Sequence, residues 1–219
     1  MQITPHVFQV GGSDISAPPD AAVYLIKSGN SAALVDGGTG EGHDEILMNI
    51  RECGVEPSSI TCLFITHCHY DHTGGVAALK EATGCTLVAH QLDAIYLETG
   101  DSDVTAASWY GSFMKPFPVD IKVHEKERSF TLGDLTITMY HIPGHSPGSA
   151  ALTLRSNGNL VLFGQDVHGP LNDMLKSNRD QYEKSLEFMI SLEADILCEG
   201  HFGVYQGKES VKRFIQSFL

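Results

Sequence analysis

Apolar residues along this chain come in short runs, most of them closed by glycine or a polar turn. Residues 21–28 (AAVYLIKS) and 31–36 (SAALVD) are two such runs, and the Gly29-Asn30 pair between them predicts a hairpin. In 42–54 (GHDEILMNIRECG) the period changes: Ile46, Ile50 and Cys53 recur at helical spacing and Gly54 ends the pattern. Residues 59–66 (SITCLFIT) form an apolar, β-branched run, as in a strand covered on both faces. A helix over 73–84 and a strand over 85–90 follow. The second half repeats the style, with strands over 135–142, 149–156 and 159–166, a helix over 179–194, a strand over 195–201 and a closing helix over 208–219. Strands followed by helices in each half predict layered α/β packing with helices outside sheets.

Residues 91–128 break this pattern. Turn formers mix there with Trp109, Tyr110, Phe113, Met114 and Phe117, which predicts an irregular aromatic-rich insertion. Such a segment is either a lid over a site or a loop folded onto the core. A chain of 219 residues without a linker or low-complexity stretch is expected to form one domain, 1–219, with 91–128 facing substrate.

Charge narrows the functions. With 27 acidic against 14 basic residues the net charge is −13, and no run of Lys and Arg offsets it. Such a surface repels phosphate backbones, so no nucleic-acid partner is expected. A nuclease is disfavoured rather than excluded, because metal ions bring positive charge of their own. The five cysteines, Cys53, Cys62, Cys68, Cys85 and Cys198, form no CxxC pair, and the opening MQITPHVFQV has no basic-then-apolar leader. Both features predict a reducing cytoplasm. No apolar run approaches the roughly 18–20 residues of a membrane span, so no membrane partner is expected. A small-molecule substrate fits this composition, and a homo-oligomer is compatible with it.

The chemistry concentrates in LFITHCHYDHTGG. His67, His69, Asp71 and His72 lie within six positions, directly after the apolar run 59–66. Imidazole nitrogen and carboxylate oxygen are good ligands for zinc and iron. His67 and His69 are two apart, so at a strand end both side chains point to one side, and Cys68 between them points away. Three further candidates sit at strand ends or just beyond: His145 in HIPGHSPGS, Asp166 in LVLFGQD and His201 in DILCEGH. His43, His90, His124 and His141 belong to no such motif.

Taken together, HxHxDH, the histidine of PGHSPGS, the aspartate after an apolar strand and the histidine before the last helix resemble the metallo-β-lactamase superfamily. Within it, the set is most similar to glyoxalase II-like hydrolases. The resemblance covers essentially the whole chain in order, including the strand pair ending in LVDGG. It implies an α/β fold, a four-layer αβ/βα sandwich with the site at one edge between two sheets. It also implies two divalent metal ions, zinc before iron: His67, His69 and His145 on the first, Asp71, His72 and His201 on the second, and Asp166 bridging. By the same resemblance a metal-bound hydroxide attacks a small ester, thioester or lactone, and Asp71 serves catalysis by orienting that nucleophile. The first ion polarises the oxygen under attack and the second stabilises the leaving group.

Other residues carry less specific expectations. Asp36 matches the family's structural aspartate and either holds a ligand histidine in one tautomer or caps its loop. His168 and Tyr205 are candidates for contact with substrate or ligands. Asp166 stands where one β-lactamase class has cysteine, which disfavours antibiotic hydrolysis. The chain stops soon after His201, without the helical domain of glyoxalase II, so that activity is not expected in full. Flavodiiron reductases carry glutamate at the place of His69 and add a flavodoxin domain. The main alternative is an iron-dependent oxidoreductase resembling persulfide dioxygenases, which uses one iron on the first three histidines.

Overall fold

The computed structural model describes all residues, 1–219. Its strands form two six-stranded sheets. The first contains β1 (Val7–Gly11), β2 (Val23–Ser28), β3 (Ser31–Val35), β4 (Ile60–Phe64), β5 (Thr86–His90) and β6 (Ile121–Val123), in spatial order β1 to β6. The second contains β7 (Glu127–Leu132), β8 (Leu135–His141), β9 (Ala150–Ser156), β10 (Asn159–Gln165), β11 (Ile196–Glu199) and β12 (Val204–Gln206), again in sequential order across the sheet. Helices α1 (His43–Glu52), α2 (Tyr70–Thr73), α3 (Val76–Thr83) and α4 (Gln91–Thr99) belong to the first half, α5 (Arg179–Ser191) and α6 (Lys208–Gln216) to the second. No helix is long and apolar enough to cross a membrane.

Three apolar layers hold these elements together. Between the sheets, Tyr24, Phe64 and Val88 meet Ile137, Leu152 and Phe163, and the Tyr24 and Phe163 rings pack edge-on with centroids 5.5 Å apart. Outside the first sheet, Leu25, Leu34, Leu63 and Leu87 pack on Ile46, Ile50, Leu79 and Leu97 of the helices. Outside the second, Leu162 and Leu197 pack on Leu186, Met189, Val211 and Ile215. Successive residues of one strand serve different layers: Leu63 faces the helices and Phe64 the other sheet, as a period of two requires. This double coverage is why β4 reads as a continuous apolar run. The result is the αβ/βα sandwich expected from the sequence.

The predicted helix over 73–84 is interrupted. A Cβ on Gly74 would overlap the Thr39 carbonyl, and one on Gly75 the Gly37 carbonyl. The glycine pair therefore lets the 37–40 loop press against the chain between α2 and α3. The reading of 91–128 as irregular also needs correction. Its first residues form α4, which buries Asp93, Ala94 and Leu97; β6 closes the edge of the first sheet, and β7 begins the second. The apolar stripe of α4 is too thin to register as helical periodicity. Strands β1, β6 and β12 are edge or near-edge pieces of three to five residues, too short for an alternating signal.

His90 closes β5 and accepts a hydrogen bond from Leu92 N–H at the start of α4. Its ring stacks on His141, with centroids 3.7 Å apart and planes 9° from parallel. Burial, reinforced by His141 and His124, lowers its pKa from 6.5 to about 4. The unfolded chain therefore binds this proton first, and stability declines as pH falls from about 6.5 towards 4. His90→Asn keeps a helix-capping side chain and removes the titration. Its melting temperature is expected to vary less over that pH range than wild type does. Equal slopes in a pH series of thermal melts would show that His90 contributes nothing to acid sensitivity.

Candidate metal centre

The seven ligand candidates converge at one edge of the sandwich, brought there by chain ends of both sheets. Beyond β4 the chain runs extended through His67 and His69, then turns into the single turn of α2, which carries Asp71 and His72. His145 lies between β8 and β9, Asp166 follows β10, and His201 follows β11. Gln165 adopts φ +49°, unusual for a non-glycine residue, where the β10–β11 register shifts. That bend sits immediately before Asp166.

Two groups form around the Asp166 carboxylate. One oxygen, Oδ2, faces His145 Nε2 at 3.4 Å and His67 Nε2 at 3.8 Å. The other, Oδ1, faces His72 Nε2 at 3.0 Å and His201 Nε2 at 3.4 Å. Asp71 Oδ2 completes the second group, 3.1 Å from His201 Nε2 and 3.8 Å from His72 Nε2. His69 joins the first: one ligand atom from each of His67, His69, His145 and Asp166 fits within a 4.8 Å span, and the same holds for Asp71, His72, Asp166 and His201. Ligand atoms around a tetrahedral ion with bonds of about 2.0–2.1 Å stand about 3.3–3.5 Å apart, close to these separations.

The polar atoms also fit a cation. Nε2 of His67, His69, His72 and His145, together with Asp166 Oδ1, is buried without a hydrogen-bond partner. Burying so many unpaired polar atoms at one point is costly unless a cation satisfies them. The opposite ring nitrogens are mostly engaged. Thr66 Oγ1 donates to Asp36 Oδ2, which leaves it to accept from His67 Nδ1 at 3.1 Å. His72 Nδ1 pairs with Asp36 Oδ2 at 2.8 Å, and His145 Nδ1 donates to the Pro170 carbonyl at 2.9 Å. Each contact turns Nε2 into the cluster, the arrangement that metal-binding imidazoles use. Asp36 thus touches His72 directly and His67 through Thr66, from a backbone held at φ +62°.

As side chains alone, the two groups hold protons differently. Burial and then the neighbouring imidazoles pull His67 far below its ordinary value, and they bring His69 down to about 3. Burial also opposes the charging of His201, but Asp166 and Asp71 outweigh it and raise this ring to about 10. His72 behaves likewise, with Asp166, Asp71 and Asp36 prevailing over burial. Asp166 is held well below the usual carboxylate range despite its burial, chiefly by His72. His67 and His69 therefore offer free lone pairs at neutral pH, whereas a cation meeting His72 and His201 must displace protons.

Other candidates separate. His168 pairs through Nδ1 with Glu199 Oε1 at 2.9 Å, and its ring lies edge-on to His201 at 5.2 Å. Tyr205 is not brought to the cluster. In β12 it pairs with Leu197 and stacks on Phe214 of α6, centroids 4.0 Å apart, on the helix side of the sheet. Cys68 is buried in the core outside the first sheet, as alternation predicts. The aromatic group of 91–128 divides: Met114 and Phe117 join the core, while Trp109, Tyr110 and Phe113 stay 48%, 43% and 64% exposed. Burial and then the nearby Asp71 carboxylate raise the Tyr110 phenol above its ordinary value.

Two buried carboxylates escaped the sequence reading. Glu199 accepts from the backbone N–H groups of His201 and Phe202 at 2.7 and 2.8 Å. Asp93 binds the loops around His67, His69 and His145. The one signal for Glu199 was a lone acid in an otherwise apolar strand. Asp93 looked like an ordinary first-turn acid of a helix.

Sandwich and cluster together place the chain among metallohydrolases. A family model of the metallo-beta-lactamase superfamily matches residues 18–201, and the chain belongs to that superfamily. The probable metallo-hydrolase YqgX of Bacillus subtilis is 27% identical over 190 residues, 84% of this chain and 86% of that one. The acyl-coenzyme A thioesterase MBLAC2 of Homo sapiens is 26% identical over 227 residues, 91% of this chain and 78% of that enzyme. A hydroxyacylglutathione hydrolase of Anaeromyxobacter dehalogenans is 32% identical over 133 residues, covering 61% of this chain but only 42% of the enzyme. Among solved structures, the metallo-beta-lactamase GOB-18 from Elizabethkingia meningoseptica superposes with a TM-score of 0.79 at 26% identity, over 92% of this chain and 76% of that one. The class B3 di-zinc enzyme LRA-12 from an Alaskan soil metagenome gives 0.78 at 27%, over 92% and 77%.

Proposed function

We propose that this protein is a dinuclear metal-dependent hydrolase of small thioesters, with esters and lactones as the neighbouring substrate classes. The observation that carries this reading is the division of Asp166. Its two oxygens face two separate ligand groups, and four orphaned imidazole nitrogens point to the same places. His67, His69 and His145 would hold one ion and Asp71, His72 and His201 the other, with Asp166 available to both. Zinc suits this nitrogen and carboxylate set, and iron is the alternative.

Divalent ions held by these residues would supply Lewis-acid activation of a carbonyl oxygen and of water. The chain's own residues supply the rest. Asp71 would orient the attacking water, its carboxylate being buried in the cluster 3.1 Å from His201 Nε2. Trp109, Tyr110 and Phe113 leave exposed apolar surface on the segment 91–128, of a kind suited to an acyl group. The thioesterase and hydroxyacylglutathione hydrolase among the relatives support a thioester over other electrophiles.

The test is metal analysis of protein purified without chelator, followed by a panel of acyl-thioesters, aryl esters and lactones. Two zinc ions per chain and thioester hydrolysis that chelation abolishes and zinc restores are expected. His67→Ala should reduce turnover at least about 100-fold. One iron per chain, with dioxygen consumed in the presence of a persulfide, would overturn the hydrolase in favour of an oxidoreductase.

A further inference from the structure

His67 and His69 leave the first sheet, whereas His145 lies in a loop of the second. Chain connectivity does not fix their relative position, so some tertiary contact must. Asp93, in the first turn of α4, is fully buried and supplies it. Its Oδ2 accepts from the Cys68 N–H at 2.8 Å and from the Ser146 hydroxyl at 2.6 Å, and its Oδ1 accepts from the Gly148 N–H at 2.5 Å. Cys68 lies between His67 and His69, and Ser146 follows His145. Every histidine of the first group is therefore one residue away from a group bonded to this single carboxylate.

The loop is shaped for that contact. A Cβ on Gly148 would collide with Asp93 N and Oδ1, so only glycine allows the approach. Ser149 Oγ accepts from Ser146 N–H at 3.0 Å and lies 2.8 Å from Ser146 Oγ, which orients the Ser146 hydroxyl towards Asp93. Asp93 bonds to nothing beside the second group. There, Asp36 holds His72 and Glu199 holds the His201 backbone.

We propose that Asp93 is a positioning residue that locks His67, His69 and His145 into one geometry, so that the first metal position depends on it and the second does not. This rests on the ligand assignment of the proposed function. Asp93 serves the first group alone, whereas Asp166 and Asp36, the latter on His72 directly and on His67 through Thr66, are common to both.

Zinc dissociation constants measured by chelator competition, in backgrounds that isolate each position, test the idea. In His201→Ala protein, which keeps the first position, adding Asp93→Asn should weaken zinc about 10–100-fold, the usual cost of losing a group that orients metal ligands. In His69→Ala protein, which keeps the second, the same change should alter affinity less than about threefold. Ser146→Ala, which removes one donor and leaves the carboxylate, should shift the first background in the same direction by a smaller factor and guards against misfolding of the asparagine variant. Equal losses in both backgrounds would reduce Asp93 to a general structural role, and no loss in the first would remove any role. Failure of the unmodified chain and of both single variants to bind zinc would overturn the ligand assignment itself, a result distinct from either.

Discussion

Replacing Asp166 by asparagine is expected to cut thioester hydrolysis about 10³-fold or more, a transition-state loss of about 4 kcal/mol at 1.36 kcal/mol per decade. The amide keeps the carboxylate's shape but offers one acceptor oxygen. Its NH₂ would face either His67 and His145 or His72 and His201, since the two oxygens now serve these groups separately. Two cations cannot be bridged by such a side chain. The charge lost is also the one that, with Asp71, raises His201 to about 10. Without it the second group loses much of its attraction for a cation. Steady-state kinetics together with metal content measure both effects. Turnover within tenfold of wild type, with two ions retained, would exclude Asp166 as a bridging ligand.

Gly200→Ala should damage the same centre without touching a ligand. Gly200 does not occupy the left-handed region, so alanine is acceptable to its backbone. A Cβ there would, however, overlap Asp166 Oδ1 and come within 3.1 Å of His72 Cε1. Relief requires the carboxylate or the His201 loop to move, and a displacement near 1 Å in a catalytic constellation costs about 10²-fold in rate. The expected variant is folded, hydrolyses thioester about 10²-fold more slowly and binds fewer than two zinc ions per chain. Alanine tolerated with full metal content would mean that the carboxylate's position is not critical.

The contrast between these residues shows what was legible in the chain beforehand. Asp166 and the six ligand candidates beside it belong to motifs with fixed spacing, and each follows or lies near an apolar strand. The sandwich was equally readable, because β4 and its neighbours are covered on both faces and advertise this as unbroken apolar runs. Gly200, Asp93, Glu199 and Tyr110 carry no comparable local mark. Their importance lies in what stands opposite them: Asp166 for Gly200, two ligand loops for Asp93, the His201 backbone for Glu199 and Asp71 for Tyr110. Tyr205 erred in the other direction. Its closeness to His201 in sequence suggested the site, but antiparallel pairing in β12 turns it onto Phe214.

The sequence by itself determined the layered α/β architecture and the seven ligand candidates. Each of these depends on periodicity, spacing or composition, properties carried by neighbouring residues. Only the tertiary structure decided how the ligands divide about Asp166, which carboxylates orient them and which aromatic residues of 91–128 remain exposed. Those properties depend on distances between residues remote in the chain, set when two sheets close on one another and bring their strand ends to a common edge.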